Sequence, residues 1–375
     1  MSVRRVGIEE EFLLVDADTG SPVPVAREVL ARCTDQDPAT GPVVKPEFFL
    51  AQVEVNSRPH RALAEAGAEL AETRSRIASV AADAGALLLA VPLPPFPDGP
   101  TGAGTLCSPG DRYERIRTQY GAVADSSLMC AMHVHVEVAD DEEAVGIVNR
   151  VRPWVPLLVA LSANSPYWRG ADTGYASWRS RLWNAWPTSG PTEVFADASE
   201  YHRLTRQVVA AGSALDIALV NFDVRISSRY PTVEFRVADV CTDLRDALVV
   251  AALTRAAVEH ASRAHDVGVP LVGWRTEALR SASWRAARFG LTDRLLCPMT
   301  AEPVPAAAAV DTMLATLHDE LADAGDLDLV LTALKTGTAT AGAQVQRQVF
   351  ADAGPAGLLA DLARRSAGTG SYPSR

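Results

Sequence analysis

Three short segments in which apolar and charged residues alternate constrain this chain most. They are Val6–Val15, Met132–Glu137 and Thr232–Val237. A β-strand turns successive side chains to opposite faces, so each segment predicts a strand with one apolar and one polar face. In a single strand, a solvated sheet face would explain the pattern. Three strands with glutamate, histidine and arginine at the same phase instead predict one sheet surface that binds divalent cations and phosphates.

The predicted polar face gathers acidic, imidazole and guanidinium groups from these strands and from two others. Phe48–Val55 is predicted as a strand that carries Glu54, and Val220–Ile226 as a strand with Asp223 and Arg225 on one face. Each residue alone also fits an exposed strand position, a packed histidine or a cross-strand ion pair. The candidate site residues are Glu9, Glu11, Glu54, His133, His135, Arg225, Glu234 and Arg236.

Two further glutamates do not follow the pattern simply. Glu10 shares its phase with the apolar residues of the first strand, so we interpret it as a paired buried carboxylate or as a sign of local irregularity. Glu47 would lie on the face opposite to Glu54 in an unbroken strand. It reaches the same site only if a bulge or a turn intervenes.

The residue types restrict the chemistry of such a site. His133 and His135 form an HxH pair that could bind zinc, but the excess of glutamate over histidine favours Mg²⁺ or Mn²⁺. Arginines beside the carboxylates favour phosphoryl transfer, in which they stabilise the transferred group. Two alternatives stay open. One is a metal-dependent hydrolase that uses both histidines and the carboxylates to activate water, and the other is a protein that binds a metal structurally.

Composition narrows the class of protein. The chain has 375 residues, 48% hydrophobic and 22% charged, which is typical of soluble globular proteins. A net charge of −11 argues against a nucleic-acid partner. The five cysteines are scattered and form no CxxC pair, which argues against a disulfide framework or a zinc cluster. The N-terminus lacks an apolar signal region, and Ala86–Val91 is too short to cross a bilayer, so we expect a cytoplasmic protein without membrane contact.

The order of elements predicts an α+β fold with mostly antiparallel strands and helices on one face. We expect a single catalytic domain over residues 1–375, with a sheet-bearing core (1–240), a mostly helical part (241–367) and a tail (368–375). The long C-terminal helices could supply the interface of a homo-oligomer. Ser162–Thr192 combines four tryptophans with arginines that include Arg179 and Arg181, which suits either a ligand wall or core packing.

Four motifs in sequence carry a resemblance to a known family. They are Gly7–Phe12, Met132–Val136, Ser162–Trp168 followed by Thr173-Gly174, and Thr232–Arg236. Together they resemble the carboxylate–amine ligase branch of the bacterial glutamate–cysteine ligase type 2 family, from the first strand to about Phe289. The resemblance implies a glutamine-synthetase-like fold, in which a curved, mainly antiparallel sheet with helices on its outer face cups ATP and Mg²⁺.

The resemblance also implies a reaction between two small molecules. ATP phosphorylates a carboxylate, such as the γ-carboxyl of glutamate, and cysteine or another amine attacks the acyl phosphate to form an amide. Pro92–Pro97 replaces the His-Pro-type loop expected there, which leaves the substrates open. The implied roles are metal ligation by Glu9, Glu11, Glu54 and Glu234, metal or phosphate contact by His133, phosphate stabilisation by Arg225 and Arg236, and contact with ATP or the acceptor carboxylate by Arg179, Arg181 and His135.

Overall fold

The computed structural model describes residues 3–33, 41–97, 106–335 and 342–368. Within these ranges, seven strands form one antiparallel sheet with the order β2-β3-β1-β5-β9-β8, and β4 pairs with the far end of β1. The strands of this sheet are β1 (Val6–Asp16), β2 (Val43–Pro46), β3 (Gln52–Asn56), β4 (Ala86–Leu89), β5 (Ala131–Glu137), β8 (Val224–Ile226) and β9 (Thr232–Asp239).

Helices and two small hairpins complete the described part of the chain. The hairpins are β6 (Tyr167–Trp168) with β7 (Ala171–Asp172), and β10 (Arg294–Leu296) with β11 (Pro303–Pro305). The α-helices are α1 (Ala26–Cys33), α2 (Leu63–Asp83), α3 (Asp111–Tyr120), α4 (Ala122–Asp125), α5 (Asp141–Val151), α6 (Val155–Leu161), α7 (Arg179–Trp183), α8 (Ala198–Ala210), α9 (Leu244–Asp266), α10 (Thr276–Phe289), α11 (Ala306–Thr316), α12 (His318–Ala324), α13 (Leu327–Lys335) and α14 (Gly342–Ser366).

The apolar face of the sheet lies in one hydrophobic core with the helices. Ile8 and Phe12 of β1 are buried there together with Leu70 of α2 and Leu248 of α9. The same cluster extends to Leu362 of α14, so the helical C-terminal part shares its core with the sheet. Burial of this face leaves the opposite, polar face of the same strands available to line a cavity.

One stretch of the core is apolar enough to resemble a membrane span. Asp141–Leu161 contains 21 residues, and its length and composition would allow it to cross a bilayer. However, 94% of its most apolar window is buried inside the protein. This stretch, which contains α5 and α6, is therefore a core element of the fold.

Glu10 is a paired buried carboxylate. This was one of the two interpretations of Glu10, the other being a local irregularity of the sheet. Its side chain and that of Arg74 on α2 are both fully buried and form an ion pair. Arg74 Nε donates to Glu10 Oε2 at 2.9 Å, and Arg74 also donates to the carbonyl oxygens of Thr242 and Cys241. The pair therefore fastens β1 to α2 and to the start of the helical C-terminal part.

Breaking this pair is expected to destabilise the protein strongly. Arg74→Ala leaves the Glu10 carboxylate buried without its cation, which should lower the free energy of unfolding by about 3–5 kcal/mol. Urea denaturation measures this loss. As a matched control, Arg32→Ala removes an arginine paired with Asp83 on the surface, where the side chains are 46% and 57% exposed. We expect less than about 1 kcal/mol there, and an equal loss in both variants would contradict the prediction.

Two predicted strands are shorter in the structure. The segment predicted as Phe48–Val55 becomes a strand only at Gln52. The preceding backbone bonds elsewhere, because Leu50 N donates to Leu106 O and Ser108 N donates to Phe48 O. The segment predicted as Val220–Ile226 becomes a strand only at Val224, after a 3₁₀ turn at Ile217–Leu219. The predicted C-terminal tail lies outside the described residues from position 369 onward.

Candidate active site

The polar face of the sheet lines a cavity of about 480 Å³. The cavity also has an aromatic and aliphatic wall that includes Phe48, Tyr113, Met129 and Trp183. The structure brings together all eight residues predicted from the strand phases, which are Glu9, Glu11, Glu54, His133, His135, Arg225, Glu234 and Arg236. One concave surface therefore carries carboxylate, imidazole and guanidinium groups from five strands.

Strand register explains why these side chains meet. Glu9 of β1 lies directly opposite His133 of β5, and Glu11 lies opposite Glu54 of β3. On the other side, Glu234 of β9 lies opposite both His135 and Arg225. Residues directly opposite each other in antiparallel strands project to the same face, so each pairing places two functional groups side by side.

At the centre of the cavity, Glu9, His133 and Glu234 are close enough to share a cation. One ligand atom from each lies within 4.8 Å of the others. His133 Nδ1 is 3.0 Å from Glu9 Oε2 and 3.9 Å from Glu234 Oε1. Burial, with the nearby charge of Arg236, lowers the pKa of His133 to about 4. The imidazole is therefore neutral at neutral pH, the form that ligates metals.

Glu234 is held between two arginines. Burial opposes its ionisation, but Arg236 and Arg225 outweigh burial and keep the pKa of Glu234 well below its usual value. Arg225 donates to Glu234 Oε2 at 2.7 Å and also to the carbonyl oxygens of Ala218 and Val220, so protein groups occupy most of its donors. Arg236 keeps a buried Nε without a hydrogen-bond partner among the described residues. Arg236 is therefore the arginine better placed to bind an anionic ligand.

A second acidic group lies beside the first. Burial, with the charge of Glu54, raises the pKa of Glu11 to about 7, and burial, with the charge of Glu11, raises the pKa of Glu47 to about 7. Burial and Glu47 also raise the pKa of Glu54 well above its usual value, although Lys45 Nζ lies 2.9 Å from its Oε1. Three carboxylates that repel one another in a buried space are an oxygen-rich donor set of the kind that hard divalent cations bind.

A divalent cation is therefore expected to stabilise the protein in a pH-dependent manner. In the metal-free protein, the raised pKa values of Glu11 and Glu47 mean that stability falls as pH rises from about 4.5 to about 7, where these groups lose protons. Cations bind the deprotonated form, so Mn²⁺ should raise the melting temperature more at about pH 8 than at about pH 5.5. Differential scanning fluorimetry measures both shifts, and Glu11→Gln should narrow the difference. Equal shifts at the two pH values would contradict this expectation.

Glu47 reaches the cavity because the chain turns before β3. Residues 47–51 form a turn instead of the predicted strand, and Phe48 N donates to Glu47 Oε1 at 2.9 Å. Sequence analysis predicted that Glu47 reaches the site only if a bulge or a turn intervenes, and the structure contains such a turn. Sequence analysis missed two residues that line the cavity, Lys45 and Asn56. Asn56 Nδ2 donates to Glu9 Oε1 at 2.7 Å. Asn56 could have been predicted, because it shares its side-chain phase with Glu54 on β3, but no such pattern indicated Lys45.

An irregularity in β9 adds a further carboxylate to the same face. Met132 pairs with Ala238 but Val134 pairs with Phe235, so β9 has one extra residue opposite His133. The bulge returns Asp239 to the face that carries Glu234, although five positions separate them.

Asp239 accepts hydrogen bonds from the Ser165 and Ser177 hydroxyls and lies 3.6 Å from Arg179 Nη1. These contacts of Asp239 connect the segment around Ser162–Arg179 to β9 of the sheet.

The structure does not place Arg179 and Arg181 in the cavity with the other candidates. Both line a neighbouring cavity. Arg179 is 1% exposed and its guanidinium faces Asp239 and the carbonyl oxygens of Arg236 and Val237 in β9. Arg179 therefore binds groups of β9 itself, and both arginines lie outside the lining of the cavity that holds the other candidates.

Comparison with solved structures shows a fold shared with a glutamate–cysteine ligase and a glutathione synthetase. The chain is similar to glutamate–cysteine ligase from Francisella tularensis in complex with AMP, with a TM-score of 0.68 and 12% identity over 98% of this chain and 89% of that chain. It is also similar to a bifunctional glutathione synthetase from Pasteurella multocida, with a TM-score of 0.67 and 14% identity over 97% of this chain and 52% of that one. The predicted α+β, glutamine-synthetase-like class is confirmed.

Sequence comparison gives the family. The model of glutamate–cysteine ligase family 2 matches residues 5–362. A relative from Streptomyces avermitilis, whose name gives glutamate–cysteine ligase 2-1 as an unproven assignment, is 43% identical over 93% of this chain and 95% of its own length. A similarly named relative from Streptomyces coelicolor is 43% identical over 94% and 96%. The chain belongs to glutamate–cysteine ligase family 2 and is an ATP-dependent ligase, as the four motifs predicted.

Proposed function

We propose that this enzyme joins a carboxylate to an amine through an acyl phosphate, and that the acid is the γ-carboxyl of glutamate and the amine is cysteine or another small amine. The single observation that carries the proposal is the cavity on the sheet, whose lining combines five carboxylates and a neutral histidine with the buried Arg236. Such a site has charge to hold a polyphosphate but needs no protein nucleophile.

The proposed reaction has two steps. A carboxylate oxygen of the acid attacks the γ-phosphorus of ATP, the bond to the β,γ-bridging oxygen breaks, and ADP leaves. The amine nitrogen then attacks the acyl carbon, the carbon–oxygen bond breaks, and phosphate leaves while the nitrogen gives up a proton. Arg236 donates hydrogen bonds to the phosphoryl group as its charge develops, and Arg225 holds Glu234 in position.

The donor set fits Mg²⁺ or Mn²⁺. Glu9, His133 and Glu234 would hold one cation, and Glu11, Glu47 and Glu54 offer oxygen ligands for another. Bound cations would neutralise phosphate charge and relieve the repulsion among these carboxylates. The protein's own contribution is to fix these side chains on neighbouring strands, where register and buried ion pairs hold their orientation.

The alternative of a hydrolase with an HxH zinc site has less support. Of the two histidines, only His133 belongs to the group whose ligand atoms come within 4.8 Å of one another. His135 Nδ1 pairs with Thr232 Oγ1 at 3.0 Å, and its Nε2 is 3.5 Å from Glu9. Both imidazoles come within 4.0 Å of Glu9 and Glu234, but only His133 belongs to the compact group, whereas an HxH zinc site requires both on one ion.

A substrate-dependence assay tests the proposal. The protein is incubated with ATP, Mg²⁺, glutamate and a panel of amines, and ADP release is measured with each component omitted in turn. We expect ADP only when both the acid and an accepted amine are present, and we expect EDTA to stop it. ATP-independent hydrolysis that zinc chelators inhibit would support the hydrolase instead, and a lack of both activities would leave a binding protein.

A further inference from the structure

A second cavity of about 750 Å³ includes residues of α7 in its lining. The two share Trp183, which lines both. This second cavity, which we call the arginine cavity, has a size typical of small-molecule sites. Its polar and aromatic lining includes Arg179, Arg181, Trp183, Asp223, Arg280 and Trp284.

The lining of the arginine cavity includes a buried carboxylate that forms no ion pair among the described residues. Asp223 is 9% exposed, and no basic group of the described residues lies within ion-pair distance of it. Burial raises the pKa of Asp223 to about 7, although Arg280 and the Gly190 N–H oppose this rise. The Gly190 N–H gives this carboxylate a hydrogen bond but no cation, and a bound ammonium group would supply the cation.

Two of the four arginines that line the arginine cavity have no carboxylate partner among the described residues. Arg179 is held by Asp239, and Arg285 is held by Asp293 at 2.7 Å. Arg181 and Arg280 form no ion pair within the described part of the chain. The lining of the arginine cavity therefore includes two guanidinium groups and one carboxylate without an ion-pair partner among the described residues. Guanidinium groups bind carboxylates in a fixed bidentate geometry.

We propose that the arginine cavity binds an amino acid with one ammonium and two carboxylate groups, at a position distinct from the catalytic cavity. Asp223 would accept the ammonium group, and Arg181 and Arg280 would each bind a carboxylate. The inference does not depend on the proposed reaction, because none of these three residues lines the catalytic cavity. It also gives the tryptophan-and-arginine segment of the sequence a role as a ligand wall.

Trp183 connects the two cavities. The guanidinium carbons of Arg179 and Arg236 each lie 5.7 Å from the centre of its ring. One of these arginines borders the arginine cavity and the other borders the catalytic cavity. A ligand beside Trp183 would change the surroundings of the indole ring, so tryptophan fluorescence can report its arrival without any turnover.

Isothermal titration calorimetry and tryptophan fluorescence test the proposal without ATP. We expect L-glutamate to bind at a site that Asp223→Asn weakens about tenfold or more, while Glu9→Gln, in the catalytic cavity, leaves that site intact. Glutarate, which lacks the ammonium group, and L-glutamine, which lacks the second carboxylate, should each bind there at least about tenfold more weakly. Failure of the ligase assay would not alter these binding results, so the two proposals fail separately.

Arg280→Gln and Arg285→Gln form a matched pair that distinguishes a loss of binding from a general loss of structure. Both arginines line the arginine cavity, but only Arg285 is held by an acidic partner. We expect Arg280→Gln to weaken glutamate binding about tenfold and Arg285→Gln to change it less than about twofold. Equal binding by the wild type, Asp223→Asn and Arg280→Gln, or equal binding of glutamate and glutarate, would overturn the proposal.

Discussion

Glu9→Gln is expected to lower turnover about 10²- to 10³-fold with little effect on stability. Glu9 contacts both His133 and Asn56, and in the proposed site it would supply a carboxylate oxygen to a cation. Glutamine keeps the size of the side chain and an acceptor for the Asn56 amide, but it loses the charge. Steady-state ADP release measures turnover, and thermal unfolding measures stability.

A second glutamate provides a matched control for Glu9→Gln. Glu137 shares its phase with His133 and His135 on β5, but it lies at the outer end of the strand, with a side chain 37% exposed beside Arg5. Glu137→Gln should therefore keep turnover within about twofold of the wild type. If Glu9→Gln also kept its turnover, the assignment of Glu9 to the metal site would be wrong.

Glu234→Ala is expected to remove both activity and stability. The variant leaves Arg225 and Arg236 buried side by side without their shared anion, which should lower the free energy of unfolding by about 3–5 kcal/mol. Turnover should fall at least about 10³-fold, because a cation ligand and the orientation of Arg236 are lost together. Chemical denaturation and ADP release measure the two effects, so a retained fold with normal turnover would contradict both the ion-pair and the metal assignments.

The ion pairs of Glu234 also distinguish Glu234→Ala from Glu9→Ala. Both variants would remove one carboxylate from the lining of the cavity. The structure separates them, because the side chain of Glu234 is 3% exposed and accepts from two arginines, whereas that of Glu9 is 17% exposed and faces one histidine closely. A glutamine at position 9 is therefore the cleaner test of catalysis.

Strand phase was a sufficient guide to much of the site. In β1, β5 and the first half of β9, alternation determines which side chain faces the cavity, so the positions of Glu9, His133 and Glu234 followed from the sequence. The register between neighbouring strands could not be predicted from the alternation. It places polar side chains of neighbouring strands directly opposite each other.

Local departures from regular structure were harder to predict. The turn before β3 brings Glu47 to the cavity, and the bulge in β9 brings Asp239 to the same face. Neither feature changes the side-chain period in the sequence, so only a three-dimensional arrangement shows it. The positions of Arg179 and Arg181 could not be predicted for another reason. The direction of the short helix α7 depends on its packing against elements that are distant in sequence.

The most direct test of the account follows oxygen from the acid to the released phosphate. Glutamate labelled with oxygen-18 in its γ-carboxyl is turned over with ATP, Mg²⁺ and an accepted amine, and the phosphate is analysed by mass spectrometry. The account predicts one labelled oxygen in each phosphate released, because the acyl phosphate leaves with an oxygen of the acid. Unlabelled phosphate formed at the rate of amide synthesis would contradict it.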